Sequence, residues 1–175
     1  MKKNVFLLAA LAVALFTSCK DDTSQEIESG APATIELTLQ GTGAGTKATG
    51  TPASENVITN VVVGVFKCVG TTPSDSDPVE VIVNPTLNAS NKATITSTAG
   101  PHSVVVMANV PTADVTSFTG AGTILTRGAF LAKTALLSNA IDGKLPMSGV
   151  TGKFDFKGAA EAPVGGNVVS VTLSR

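Results

Sequence analysis

Thr34-Ile35-Glu36-Leu37-Thr38-Leu39-Gln40 alternates polar and apolar residues without a break. Successive side chains of a strand point to opposite faces, so Ile35, Leu37 and Leu39 share one face and Thr34, Glu36, Thr38 and Gln40 the other. The stretch predicts a half-buried β-strand whose apolar face is turned to a core. Downstream, Val57 to Val69 is nearly continuous in apolar residues, including Val61, Val62, Val63, Val65 and Phe66. A strand covered on both faces reads this way, and this one is expected at the centre of the fold.

Working outward, further strands are predicted at Val79 to Val83, Lys92 to Thr98, Ser103 to Asn109, Lys153 to Phe156 and Asn167 to Ser174, separated by Pro, Gly, Asn and Asp turns. Arg127 to Asn139 places Phe130, Thr134, Leu137 and then Ile141 at helical spacing, and Thr112 to Phe118 predicts a second, shorter helical turn. The chain of 175 residues holds 21 Val and 23 Thr, β-branched residues that suit a pleated surface better than a helix. A mostly all-β domain follows, a Greek-key sandwich of about seven strands with one or two short helices.

The N-terminus carries Lys2 and Lys3, then an unbroken apolar run from Val5 to Phe16, then Thr17, Ser18 and Cys19. Twelve helical residues rise about 18 Å, short of the roughly 30 Å hydrocarbon core, so the run predicts a removable export signal over residues 1–18. Leu15-Phe16-Thr17-Ser18-Cys19 resembles a bacterial lipobox, which makes Cys19 the expected lipidated first mature residue. Acyl chains on Cys19 would give stable membrane residence at about 0.8 kcal/mol per buried methylene. Residues 19–32 are polar and Ser/Glu-rich and predict a tether; the domain is expected over 33–175. With Cys19 acylated, Cys68 has no partner, so no disulfide framework is expected.

The remaining residues point away from catalysis. His102 is the sole histidine, and neither it nor Cys68 sits in a recognisable nucleophilic context. One His, one free Cys and dispersed carboxylates offer no metal cluster. Asp75 and Asp77 lack the Gly and terminal Glu of a calcium loop, and Pro78 follows at once, so they predict a solvated turn. Residues 41–54 contain four Gly and Pro52, and Gly45-Thr46-Lys47-Ala48 departs from a phosphate-binding loop in spacing and context. This segment reads as an accessible linker. A net charge of −1 without a basic stripe excludes a nucleic-acid partner. No enzyme and no cofactor are expected.

Taken in order, the lipobox Cys19, the alternating first strand, the Gly/Thr-rich linker with Lys47, the strand from Ile58 to Phe66, Arg127-Gly128-Ala129-Phe130 and Leu145-Pro146-Met147-Ser148-Gly149 resemble the N-terminal domain of the fimbrillins, the type V pilins. The resemblance implies a transthyretin-like β-sandwich and a structural role in a surface fimbria. It implies a lipidated precursor on the outer membrane, a trypsin-like surface protease that cuts in the linker, here after Lys47, and loss of the first strand with Ile35, Leu37 and Leu39. A strand of another fimbrial subunit would then fill the groove, and host surface proteins are candidate ligands. Two departures stand out: family members commonly present Arg where this chain has Lys47, and the sequence stops at Arg175, about where a family member would pass into its second domain, so a single sandwich domain without the second is expected. The competing reading is a monomeric lipid-anchored surface binder, an adhesin or ligand-binding lipoprotein that keeps its first strand. Seven Phe with no Trp or Tyr give such a binder few stacking surfaces for glycans.

Overall fold

The computed structural model describes residues 30–41, 57–120, 122, 124–136, 146–162 and 166–174. The expected export signal, the expected lipidation site Cys19 and the expected cleavage site Lys47 lie outside the described residues. Eight strands and two short helices are found among them: β1 (Pro32–Gly41), β2 (Val62–Lys67), β3 (Val79–Val83), β4 (Lys92–Thr98), β5 (Gly100–Ala108), α1 (Thr112–Thr119), α2 (Arg127–Leu136), β6 (Met147–Val150), β7 (Phe154–Phe156) and β8 (Asn167–Leu173). Every predicted strand is present, with one more, β6, which is too short for alternation to mark in the sequence. The central strand is narrower than the expected Val57 to Val69, and the first begins at Pro32, inside the expected tether.

The strands form two sheets. One holds β4, β1 and β8 in that order; the other runs β3, β2, β5, with β6 and β7 end to end along the far edge of β5. All pairings are antiparallel except β1 with β8, which run parallel. The chain crosses from one sheet to the other between β4 and β5 with only Ala99 intervening. Gly100 makes that corner at a φ of +126°, a conformation L side chains rarely adopt.

The continuous apolar run of β2 is explained by two cores on its two faces. Val61, Val63 and Val65 face the interior between the sheets, with Ile35, Leu37 and Leu39 of β1, Val104 and Val106 of β5, and Val169, Val171 and Leu173 of β8. Val62 and Phe66 face the other way, where Phe118 of α1, Phe130 of α2 and Ile124 from the segment between the helices pack on them. Phe130 meets the rings of Phe66 and Phe118 edge-on at centroid distances of 5.6 and 5.3 Å. Phe130 of the expected helix face is buried as expected; the side chain of Thr134, and Leu137 and Ile141, lie outside what is described.

At one corner the two sheets are also joined by backbone hydrogen bonds. Ser148 of β6 and Ser174 exchange both backbone hydrogen bonds, at 2.8 and 2.9 Å. Gly149 permits this approach, because a Cβ there would lie 2.5 Å from the Thr172 carbonyl oxygen and 2.5 Å from Val171 Cγ1. A strand glycine of this kind marks close passage of another backbone.

Candidate functional site

The first strand is the centre of its sheet. It pairs antiparallel with β4 from Pro32↔Thr98 to Thr38↔Lys92, and parallel with β8 from Ile35↔Asn167 to Gly41↔Leu173. Neither neighbour adjoins it in sequence. Ala33, Ile35, Leu37 and Leu39 are each at most 2% exposed, so the side chains picked out by alternation form a continuous inner ridge, extended by Ala33. Fully burying each of the three large ones contributes about 1.5–3 kcal/mol. The outer face stays polar: Thr34 and Gln40 are exposed, and Glu36 accepts from Lys92 Nζ at 2.8 Å. With both side chains 40% exposed, that ion pair adds little.

Main-chain bonds secure the ends. Ala99 N–H donates to Ala31 O at 2.7 Å, Leu39 N–H to Asn91 O at 3.0 Å and Ala159 N–H to Pro32 O at 3.1 Å. One side chain joins them. Asn167 donates through Nδ2 to the Thr34 carbonyl at 3.0 Å and to the Lys157 carbonyl at 2.9 Å, while its Oδ1 accepts from Lys157 N–H at 2.8 Å. Sequence reasoning missed this residue, since nothing local to Asn167 marks a partner 133 positions away. Remove β1 in thought and what remains is a long apolar trough, floored by valines and open to strand pairing on both walls.

The other singled-out residues are structural. Lys67 and His102 are cross-strand partners, so Cys68 projects from the face opposite His102, and no thiolate-imidazole pair forms. Burial pushes the Cys68 thiol up from its ordinary range, with nearby Asp77 adding to the rise against a hydrogen bond from Ser103. Asp77, expected in a solvated turn, is buried instead: its Oδ2 accepts from Ser74 N–H at 2.8 Å and closes the β2–β3 loop. Asp75 does sit at the surface, paired with Arg127 Nη1 at 3.1 Å. Among the described residues no three His, Cys, Asp or Glu converge as metal ligands, and no helix is long and apolar enough to cross a membrane.

His102 closes one end of the inter-sheet core. It is 1% exposed, stacked on Phe156 at 5.1 Å, and bonded through Nδ1 to the Gly100 carbonyl at 2.9 Å. Burial lowers its pKa below the ordinary histidine range; the Gly100 carbonyl and Glu80 oppose this, and Lys67 reinforces it. The unfolded chain takes a proton near pH 6.5 that the folded chain refuses, so unfolding is favoured as pH falls below that value. The contribution is whole above the unfolded pKa and is lost progressively towards the depressed folded one. Thermal melts at intervals from about pH 7.5 to 5 are expected to show falling stability. His102→Phe should flatten that slope, and an unchanged slope would assign it to other groups.

No curated protein matches this chain. Among solved structures it is similar to the tip fimbrial protein Mfa3 from Porphyromonas gingivalis with a C-terminal truncation, at 11% identity and a TM-score of 0.48, covering 82% of this chain and 48% of that one. It is also similar to a candidate cell adhesion protein from Parabacteroides distasonis, at 19% identity and a TM-score of 0.39, covering 70% of this chain and 30% of that one. The chain thus spans less than half the length of either. The family profile described as Major fimbrial subunit protein (FimA) matches residues 33–175, the whole of the sandwich from Ala33 of β1 onward. The chain belongs to the major fimbrial subunit protein (FimA) family.

Proposed function

We propose that this chain is a structural subunit of a cell-surface fimbria, exported as a lipoprotein on Cys19, cut after Lys47, and assembled when a strand of another subunit takes the place of β1. The observation that carries the reading is the position of β1. It is the middle strand of its sheet, buried through Ala33, Ile35, Leu37 and Leu39, yet its pairing partners are remote in sequence and a Gly/Thr-rich linker follows it. A segment so placed is released by one cut without breaking any other strand, and the trough it leaves accepts an extended segment by main-chain pairing. The role asked of the protein is non-enzymatic, in keeping with its family.

Arg127 is the natural competitor for a trypsin-like enzyme, and its surroundings disfavour cleavage. Its N–H donates to Asp77 O and that of Gly128 to Asp75 O, both at 2.9 Å, and its side chain is 13% exposed. The peptide bond lies in the first turn of α2, whereas proteases act on extended, exposed backbone.

The deciding experiment reads the N-terminus of protein recovered from the cell surface. Assembled material is expected to begin at Ala48 and membrane-bound precursor at acylated Cys19, with Cys19→Ser leaving unprocessed precursor. Acylated Cys19 on every surface molecule, including any in filaments, would instead identify a lipid-anchored binder that never releases β1.

A further inference from the structure

Asn167 is 8% exposed and its carboxamide is held at both ends by one residue: Oδ1 takes the Lys157 N–H and Nδ2 gives one hydrogen to the Lys157 carbonyl. These two bonds belong to the β7–β8 connection and not to β1. They fix the flip and the direction of the amide whether or not β1 is present. The second Nδ2 hydrogen points at the Thr34 carbonyl, a main-chain acceptor, at 3.0 Å. Without the strand it would be a donor aimed into the open groove, bonded to water until a carbonyl replaces it.

We infer that Asn167 is a preformed main-chain reader of the groove: it locks β1 in the intact chain and positions any strand that replaces it by bonding that strand's carbonyl. This rests on the strand-replacement reading for the incoming strand, but not for β1 itself. Because the acceptor is backbone, the bond is indifferent to the side chain at the position of Thr34. It is sensitive to register. A slip of one residue turns a backbone N–H towards Nδ2 in place of a carbonyl, setting donor against donor, and also turns the apolar ridge outward. Slips of two residues keep the carbonyl in place and are left to the small-then-large order of Ala33, Ile35, Leu37 and Leu39. Asn167 therefore serves as a positioning residue that checks parity, while the inner side chains check position.

Two arms test this. In the uncut chain, Asn167→Asp keeps shape and the Oδ1 acceptor but loses both Nδ2 bonds, to Thr34 and to Lys157, and sets a carboxylate against the two carbonyls; amide exchange at Thr34 to Leu37 is expected to quicken about tenfold relative to Val104 to Met107 of β5 and more than exchange at Lys157. Equal protection in the variant overturns the assignment. In the second arm, the chain cut after Lys47 and stripped of β1 is titrated with a synthetic Pro32–Gly41 peptide and with the same peptide carrying an ester in place of the Thr34–Ile35 amide, whose carbonyl is a weaker acceptor. The ester should weaken binding about fivefold more in the parent domain than in Asn167→Asp or Asn167→Ala. An identical ester penalty in parent and variants refutes the reader role, since a merely structural Asn167 would not couple to that carbonyl. If the cut domain keeps its fold and takes no peptide, strand replacement fails as the function; in that case, or where the cut domain unfolds, the first arm alone decides Asn167.

Discussion

A domain cut after Lys47 and stripped of residues 30–47 is expected to melt far below the uncut chain, or not to hold its fold at all. Ile35, Leu37 and Leu39 are between 0 and 2% exposed in the intact sandwich. Losing three such side chains removes about 5–9 kcal/mol of burial, against a total stability of about 5–15 kcal/mol for a domain of this kind. The loss is compounded by the backbone: β1 is hydrogen-bonded on both sides, so its departure orphans groups on both β4 and β8. Adding the Pro32–Gly41 peptide in trans should restore much of the melting temperature. The same peptide with Ile35, Leu37 and Leu39 changed to Asp should restore none, because three carboxylates would enter an apolar trough unpaired. Calorimetry of the cut chain with and without each peptide measures this. An unchanged melting temperature after strand removal would mean that β1 is not part of the core's stability, and replacement by another subunit's strand would lose its driving force.

Gly149→Ala is expected to destabilise the uncut chain by about 1–3 kcal/mol, the cost of forcing a methyl into a packed contact, and Gly149→Val by more. The new Cβ would sit 2.5 Å from a backbone oxygen, that of Thr172, so no side-chain rotation relieves it; β6 and β8 must part. Their parting strains the Ser148–Ser174 bonds that tie the two sheets at this corner. Gly152→Ala is the control, three residues along the same edge, where an added Cβ meets nothing within 4 Å. Urea denaturation of the three variants separates the effects. Equal midpoints for Gly149→Ala and Gly152→Ala would show that the corner yields without cost. Because β8 is also one wall of the β1 groove, the Gly149 variants should loosen the grip on β1, visible as faster exchange of its amides.

Local pattern was enough for the elements themselves. The period of two in residues 34–40 placed Ile35, Leu37 and Leu39 inside, since strand geometry assigns alternate side chains to opposite faces whatever lies beyond. The apolar run around Val61–Phe66 announced a strand covered twice, because a strand with one wet face has no use for consecutive valines. Phe130 at helical spacing announced the cover. The family resemblance was legible too, from the order of weak motifs rather than from any one. What only the tertiary structure decided was adjacency. Nothing in β1 or β8 states that they lie side by side, in parallel, at the two ends of the described chain; pairing partners are chosen by how all the strands pack together, not by the residues within a strand. The burial of Asp77, the close passage at Gly149 and the Asn167 bond to Thr34 belong to the same class. Each depends on a contact between segments far apart in sequence, and a short-range period carries no information about which distant backbone will arrive.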